Sequence, residues 1–228
     1  MIELVTCKDG YQVAVIKGDT HGSKWIKEQG RLDYDRSVED VVKLLKPGDI
    51  VVDAGAFIGD YTVRMAQAVG KTGTVIAFEP NPEAFVCLAV NCRNCPQVRL
   101  EHCALSDIET AKSVFVESNA GASHLINARN EGPTIRTRTL DSFNLARCDF
   151  IKIDIEGFEV FALRGAMETI KKFRPKMFIE LNDSALARYG FTKNDILKPL
   201  LEIGYRLEFI DQKHNLSYPQ LDVLLLPQ

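Results

Sequence analysis

Three carboxylates, Asp53, Glu79 and Asp107, each stand close behind an apolar run, at intervals of 26 and 28 residues. The runs are Ile50–Val52, Thr74–Phe78 and Val98–Leu105. An interval of that length holds one strand and one helix. A parallel sheet of such units brings all three acids to its carboxyl edge, where open α/β sheets bind ligands. Any one strand-end acid can simply cap the next helix. Three in register with a glycine turn point to a site.

The turn lies in VVDAGAFIGDYT, Val51 to Thr62, where strand periodicity gives way to helix periodicity around Gly55 and Gly59. Glycines there let a ligand approach the bare N–H groups of the first helical turn. A dinucleotide fingerprint is absent, because Phe57 and Asp60 occupy its second and third glycine positions. A Walker loop fails as well: Gly70-Lys71-Thr72 follows the helix instead of opening it, and Met65 stands at its first glycine. With Asp53 and Asp60 but no Lys or Arg in the turn, the pattern suits a ligand bearing both an ammonium and a carboxylate. Asp53 would then face the ammonium, Glu79 a ribose diol, and Asp107 an adenine amino group.

A second group of acids follows two later strands: Asp154 and Glu156 after Phe150–Ile155, and Glu180 with Asn182 after Lys176–Leu181. Carboxylates there are placed to remove or hold a proton. As general base the order is Asp154, Glu180, then His21 from a loop. His124, in the polar stretch Ser118–Pro133, belongs to a plausible lid. Glu159 reads as a cap of the helix after Gly157.

The elements that must position these residues are legible. With 228 residues, 46% of them hydrophobic, one compact α/β domain is expected. Residues 1–48 form an entry segment: a hairpin around Asp9-Gly10, a stretch containing Trp25, and a helix capped by Ser37 that runs through Leu45. Residues 49–228 form the core, which ends in an antiparallel hairpin of Tyr205–Ile210 and Leu221–Leu226 about a turn at Asp211–Asn215. Single elements are expected at Val98–Leu105 (strand) and Val160–Ile170 (helix), an extra strand at Ala111–Glu117, and a strand carrying Arg136 and Arg138. A net charge of −3 without blocks of like charge argues against a nucleic-acid surface. No apolar run reaches membrane-spanning length and no leader is evident, so a cytoplasmic protein is expected. The six cysteines read as reduced thiols. Cys87, Cys92, Cys95 and Cys103 lack the paired knuckles of a zinc site, so no metal is expected.

Taken in order, the motifs resemble the FkbM-type S-adenosylmethionine-dependent methyltransferases. The resemblance rests on Tyr34-Asp35, LKPGDIVVDAGAFIGDYT (45–62), FEPNPEAF (78–85), ALSD (104–107), TLDSF (139–143), IKIDIEGFE (151–159) and FIELN (178–182). It implies a single-domain, Rossmann-like seven-stranded sheet flanked by helices. It also implies binding of S-adenosylmethionine, and of its product S-adenosylhomocysteine, by Asp53, Gly55, Gly59, Glu79 and Asp107. Ala56, Phe57, Tyr61, Thr62, Pro80, Asn81 and Leu105 within the matching motifs join that shell. Phe57 departs from the Asn often found there. The implied reaction is O-methylation of a sugar or small natural product, with N-methylation of an amide or amine as the alternative. A nucleic-acid amino-methylase is disfavoured, because Asp154-Ile-Glu156 stands where such enzymes carry an Asn or Asp-Pro-Pro-aromatic motif. A noncatalytic cofactor-binding module and a nicotinamide oxidoreductase are the readings from other classes.

Overall fold

The computed structural model describes residues 1–32, 37–126, 133–211 and 215–228. Tyr34-Asp35, residues 127–132 of the expected lid and residues 212–214 of the last turn lie outside the described residues.

The chain enters through Ile2–Thr6 (β1) and Gln12–Ile16 (β2), a hairpin with Thr6 opposite Gln12, followed by the helices Gly22–Gln29 (α1) and Val38–Val42 (α2). Ser37 does not cap α2; its hydroxyl donates to Asp222 at 3.3 Å, and the regular helix stops before Leu44 and Leu45. The βα rhythm then runs through Ile50–Ala54 (β3), Asp60–Val69 (α3), Thr74–Phe78 (β4), Pro82–Asn91 (α4) and Val98–Glu101 (β5). Helix α4 begins as its sequence requires. Pro82 takes the first turn, where no N–H is needed, and the Asn81 side chain accepts from Glu83 N and Ala84 N.

The expected strand Val98–Leu105 is two elements. After β5 the chain turns at His102-Cys103, with Cys103 N donating to Glu101 O. Ala104–Leu105 (β6) leaves the main sheet and pairs with Thr134–Arg138 (β9). With Ala111–Phe115 (β7) and His124–Ile126 (β8), these form a four-stranded sheet in the order β6-β9-β7-β8. Phe150–Ile153 (β10) resumes the main sheet.

The expected helix Val160–Ile170 is also broken, into Glu159–Arg164 (α5) and Met167–Phe173 (α6). Gly165 at the break lies against Ser106 O, which would stand 1.9 Å from any Cβ placed there. The Asp141 carboxylate caps α6 by accepting from Glu168 N and Thr169 N. Lys176–Asn182 (β11), Asp183–Ala187 (α7), Lys193–Glu202 (α8), Tyr205–Phe209 (β12) and Gln220–Pro227 (β13) complete the chain.

The main sheet has the order β12-β13-β11-β10-β3-β4-β5, parallel from β11 to β5, with β13 antiparallel to both neighbours. Helices flank it, and its central strands β3 and β10 are apolar and buried on both faces, as a covered parallel sheet requires. Among the described residues no helix is long and apolar enough to cross a membrane.

The entry hairpin is tied to the core by one amide. Asn91, fully buried at the end of α4, accepts from Ala14 N at 2.7 Å and donates to Ala14 O at 2.9 Å and to Ile58 O at 2.7 Å. Ile58 belongs to the glycine turn, so hairpin, helix and turn share one side chain. Asn91→Ala strands these buried backbone groups, at a cost on the order of 3 kcal/mol. For a chain of this size thermal unfolding should shift down by about 6–12 °C; a shift below about 2 °C would show that the hairpin and turn are held by other contacts.

Candidate active site

The glycine turn is pressed against the end of β10. Gly55 has φ 83°, and a Cβ there would lie 1.8 Å from Asp154 O. Phe57 is left-handed too, with φ 47°, a region where side chains are strained unless the surroundings hold them. Its ring fits over Gly22 of α1, where a Cβ would stand 2.9 Å away. Its N–H donates to Glu79 Oε2 at 2.8 Å, while Asn81 N donates to Oε1 at 2.7 Å. Burial pushes the Glu79 carboxyl up to about 7 against the pull of those two N–H groups. Each oxygen keeps acceptor capacity for a further donor.

Beneath the turn lies a cation that the local pattern did not lead one to expect. Lys152 is 2% exposed, and the β3–β10 register sets it beside Asp53. Its Nζ donates to Gly55 O at 2.9 Å, sits 3.4 Å from Asp154 Oδ2 and 3.7 Å from Asp53 Oδ1, and covers the Tyr61 ring at 4.9 Å. Asp53 is fully buried; Oδ2 accepts from Thr62 Oγ1 at 2.6 Å, whereas Oδ1 has no hydrogen-bond partner. The reading of a turn site without a cation is therefore corrected: β10 supplies one from the neighbouring strand.

On the far side of the cleft, Asp154, Glu156 and Glu180 each bring a carboxylate oxygen within 4.8 Å of the others. That spacing would allow them to share one cation, although exposed acids often gather without one. Burial, then Asp154 and Glu156, push Glu180 up to about 9; Gln220 Nε2 donates to its Oε1 at 2.7 Å. Glu156, with φ 57°, is pushed up to about 7 by burial and then by Asp154. Glu159 does not cap α5 as expected; as the first residue of that helix it holds the preceding loop instead, accepting from Ile155 N and Gly157 N.

These groups open on one cleft of about 260 Å³. Of the residues expected at the site, Gly55, Phe57, Tyr61, Glu79, Pro80, Leu105, Asp154 and Glu180 line it. Asp53, Ala56, Gly59, Thr62 and Asn81 are not among the lining residues: Thr62 bonds Asp53, Ala56 N bonds Phe78 O, and Asn81 caps α4. Asp107 stands outside, because the chain leaves the main sheet before reaching it, and it accepts from Ser106 Oγ at 3.2 Å. His21 is exposed beside Thr20, also away from the lining, whereas His124 on β8 is part of it. Burial, then Arg188, pushes the His124 imidazole below its usual range. Sequence reasoning missed Lys152 and Gln220, whereas the cover formed by Asn119–Gly121 and Ser123 falls within the stretch expected as a lid. Asp19 fastens that cover to the entry segment, accepting from Ser23 N at 2.6 Å and Ala120 N at 2.9 Å.

The model of the methyltransferase FkbM domain matches residues 53–207, which carry both sides of this cleft apart from Gly22 and Gln220. The chain belongs to the FkbM methyltransferase family. Hexuronic acid methyltransferase AglP of Haloferax volcanii is 26% identical over 155 residues, an alignment spanning 64% of this chain and 63% of that protein. The solved FkbM methyltransferase of Methylobacillus flagellatus superposes with a TM-score of 0.55 at 18% identity, over 82% of this chain and 50% of that one. SMU.1697c of Streptococcus mutans, a putative methyltransferase solved with S-adenosylhomocysteine, gives 0.52 at 12% identity, over 83% of this chain and 94% of that one. The chain thus spans less than two thirds of the first two relatives.

The cofactor of this FkbM-family chain is S-adenosylmethionine, and the residues present fit it. Glu79 offers two oxygens for a diol, and Phe78, Cys103, Ala104 and Leu105 form an apolar wall for a planar base. Lys152 lines the cleft with Asp53 buried behind it, so charge of both signs stands close to where an amino acid end would lie.

Glu79, Glu156 and Glu159, all pushed up to about 7, and Glu180, pushed up to about 9, bind protons in the folded chain that the unfolded chain has released above its ordinary carboxylate range. The folded state therefore holds more protons between about pH 5 and 9, and stability falls as pH rises through that window. Without cofactor, melting at pH 6 should exceed that at pH 8 by at least about 2–4 °C, the equivalent of about 1 kcal/mol, and the Glu156→Gln/Glu180→Gln double variant should reduce the difference to the part owed to Glu79 and Glu159. A higher melting temperature at pH 8 would contradict these buried acids.

Proposed function

We propose that the chain transfers a methyl group from S-adenosylmethionine to a hydroxyl of a sugar or other small natural product. The observation that carries this reading is the single cleft with Glu79 on one side and Asp154, Glu156 and Glu180 on the other. A family relative named for methylating a hexuronic acid supports a sugar acceptor. Cofactor-side groups are Gly55, Phe57, Tyr61, Glu79, Pro80 and Leu105, with Asp53, Thr62 and Asn81 supporting them from behind.

The bound cofactor supplies a methyl group activated on a sulfonium. The protein's part is alignment and the proton. Asp154, ion-paired with Lys152, accepts the hydroxyl proton as the acceptor oxygen bonds to carbon. Glu180, with a carboxyl pushed up to about 9, holds its own proton at neutral pH and donates a hydrogen bond to the acceptor. His124 and the Asn119–Ser123 cover exclude water from the same space.

Isothermal calorimetry should show S-adenosylmethionine or S-adenosylhomocysteine binding and no NAD binding. Glu79→Ala removes a charge-assisted ribose contact of roughly 1.5–3 kcal/mol, one to two decades in affinity, with the fold retained. Tight NAD binding without S-adenosylmethionine binding would refute the reading.

Asp154→Asn keeps the side-chain shape and removes the base. In assays against a panel of neutral and acidic sugars it should cut turnover of any accepted substrate by about two to four decades, with cofactor affinity within a few fold. Undiminished turnover would move the base to Glu180, and a collapse of cofactor affinity would move Asp154 into the cofactor shell.

A further inference from the structure

Lys152 is a charged site residue that the local pattern did not announce, and its contacts join the glycine turn to Asp154. The β10 strand Phe-Ile-Lys-Ile places Lys152 and Asp154 on the same face, two residues apart. The β3–β10 register adds Asp53 from the adjacent strand. The ammonium is anchored to Gly55 O at 2.9 Å and lies nearer to Asp154 (3.4 Å) than to Asp53 (3.7 Å).

Around Asp154 the other charged neighbours are acidic. Glu156 follows in the same loop, Glu180 comes from β11, Glu159 from α5 and Asp53 from β3, while Asp60 of α3 faces Lys152. Among the described residues Lys152 is the cation paired with Asp154; Arg188 donates instead to Glu156 O. Burial opposes the Lys152 charge, but Asp154 first, then Asp53 and Asp60, outweigh it and hold the ammonium above the usual lysine range.

We propose that Lys152 is the positioning residue for the reaction inferred above: its ammonium ties the Asp154 carboxylate to the cofactor turn and holds it in place amid Glu156, Glu180 and Asp53. Lys152 need not touch the acceptor. It fixes where Asp154 points, through Gly55 O.

The test needs no acceptor. In protein labelled with ¹³C at aspartate carboxyls, and with the Asp154 signal assigned through Asp154→Asn, the carboxyl is followed as pH is varied in the wild type and in Lys152→Met. Loss of the cation should raise the Asp154 titration midpoint by about one to three units. Lys152→Arg, which keeps the charge, should bring the midpoint back toward the wild type. A folded Lys152→Met protein whose midpoint moves by less than about 0.2 unit overturns the proposal and leaves Lys152 a packing residue.

Should Lys152→Met fail to fold because Asp53 is left buried without a cation, the Lys152→Met/Asp53→Asn double variant removes both charges and is read by the same criterion. S-adenosylhomocysteine calorimetry on the wild type separates the two readings. Failure of that ligand to bind refutes the methyltransferase function, while the titration still decides whether Lys152 governs Asp154.

Discussion

One buried ammonium balances the charge at the edge of the sheet. A lysine in the middle of an otherwise apolar, fully covered strand is costly to desolvate. Here the parallel register between β3 and β10 sets Lys152 beside Asp53, and the two-residue period of the strand sets Asp154 on the same face. The close approach at Gly55 depends on the same packing, since the turn can reach the end of β10 only where a Cβ is missing. Strand register, turn conformation and site charge are thus one arrangement.

The two walls of the cleft handle negative charge in opposite ways. At the glycine turn, backbone N–H groups of Phe57 and Asn81 grip Glu79 and leave each of its oxygens with acceptor capacity to spare. That grip depends on Phe57 holding a left-handed backbone, where asparagine would be at less strain. The ring's seat on Gly22 is the compensating contact, so the entry helix and the turn have become mutually dependent in this chain. At the ends of β10 and β11, three acids crowd together, with Gln220 donating to one of them, and proton uptake relieves the repulsion that hydrogen bonds do not.

Much of this was legible in the residues. The apolar runs ending in Asp53 and Glu79, the glycine turn and the closing hairpin gave the sheet and the position of its functional edge, because parallel strands and βα spacing leave little topological freedom. Asp107 misled for a definite reason. The apolar run Val98–Leu105 continues across the point where Cys103 N bonds back to Glu101 O, and periodicity cannot register a change of sheet. Of the four-stranded side sheet only β7 and β9 were legible as strands, because β6 has two residues and β8 three, too short for a pattern. The break between α5 and α6 is a tertiary effect, set by Ser106 O against Gly165. Lys152 had a usable signal, a lone cation inside the run Phe-Ile-Lys-Ile-Asp; a covered strand that carries a lysine must supply it with an acid. His124 and Gln220 carried no comparable mark.

The position of β13 bears on how the protein emerges during synthesis. It lies between β11 and β12, yet it is the later-made strand of the three. Until Gln220–Pro227 has left the ribosome, β11 presents an unpaired edge and Glu180 lacks its Gln220 partner. Glu79, Phe57 and the glycine turn all come from chain made far earlier. A nascent polypeptide can therefore assemble the Glu79 wall while the surroundings of Glu180 are still open. During that interval the exposed β11 edge is the surface most in need of a chaperone's protection.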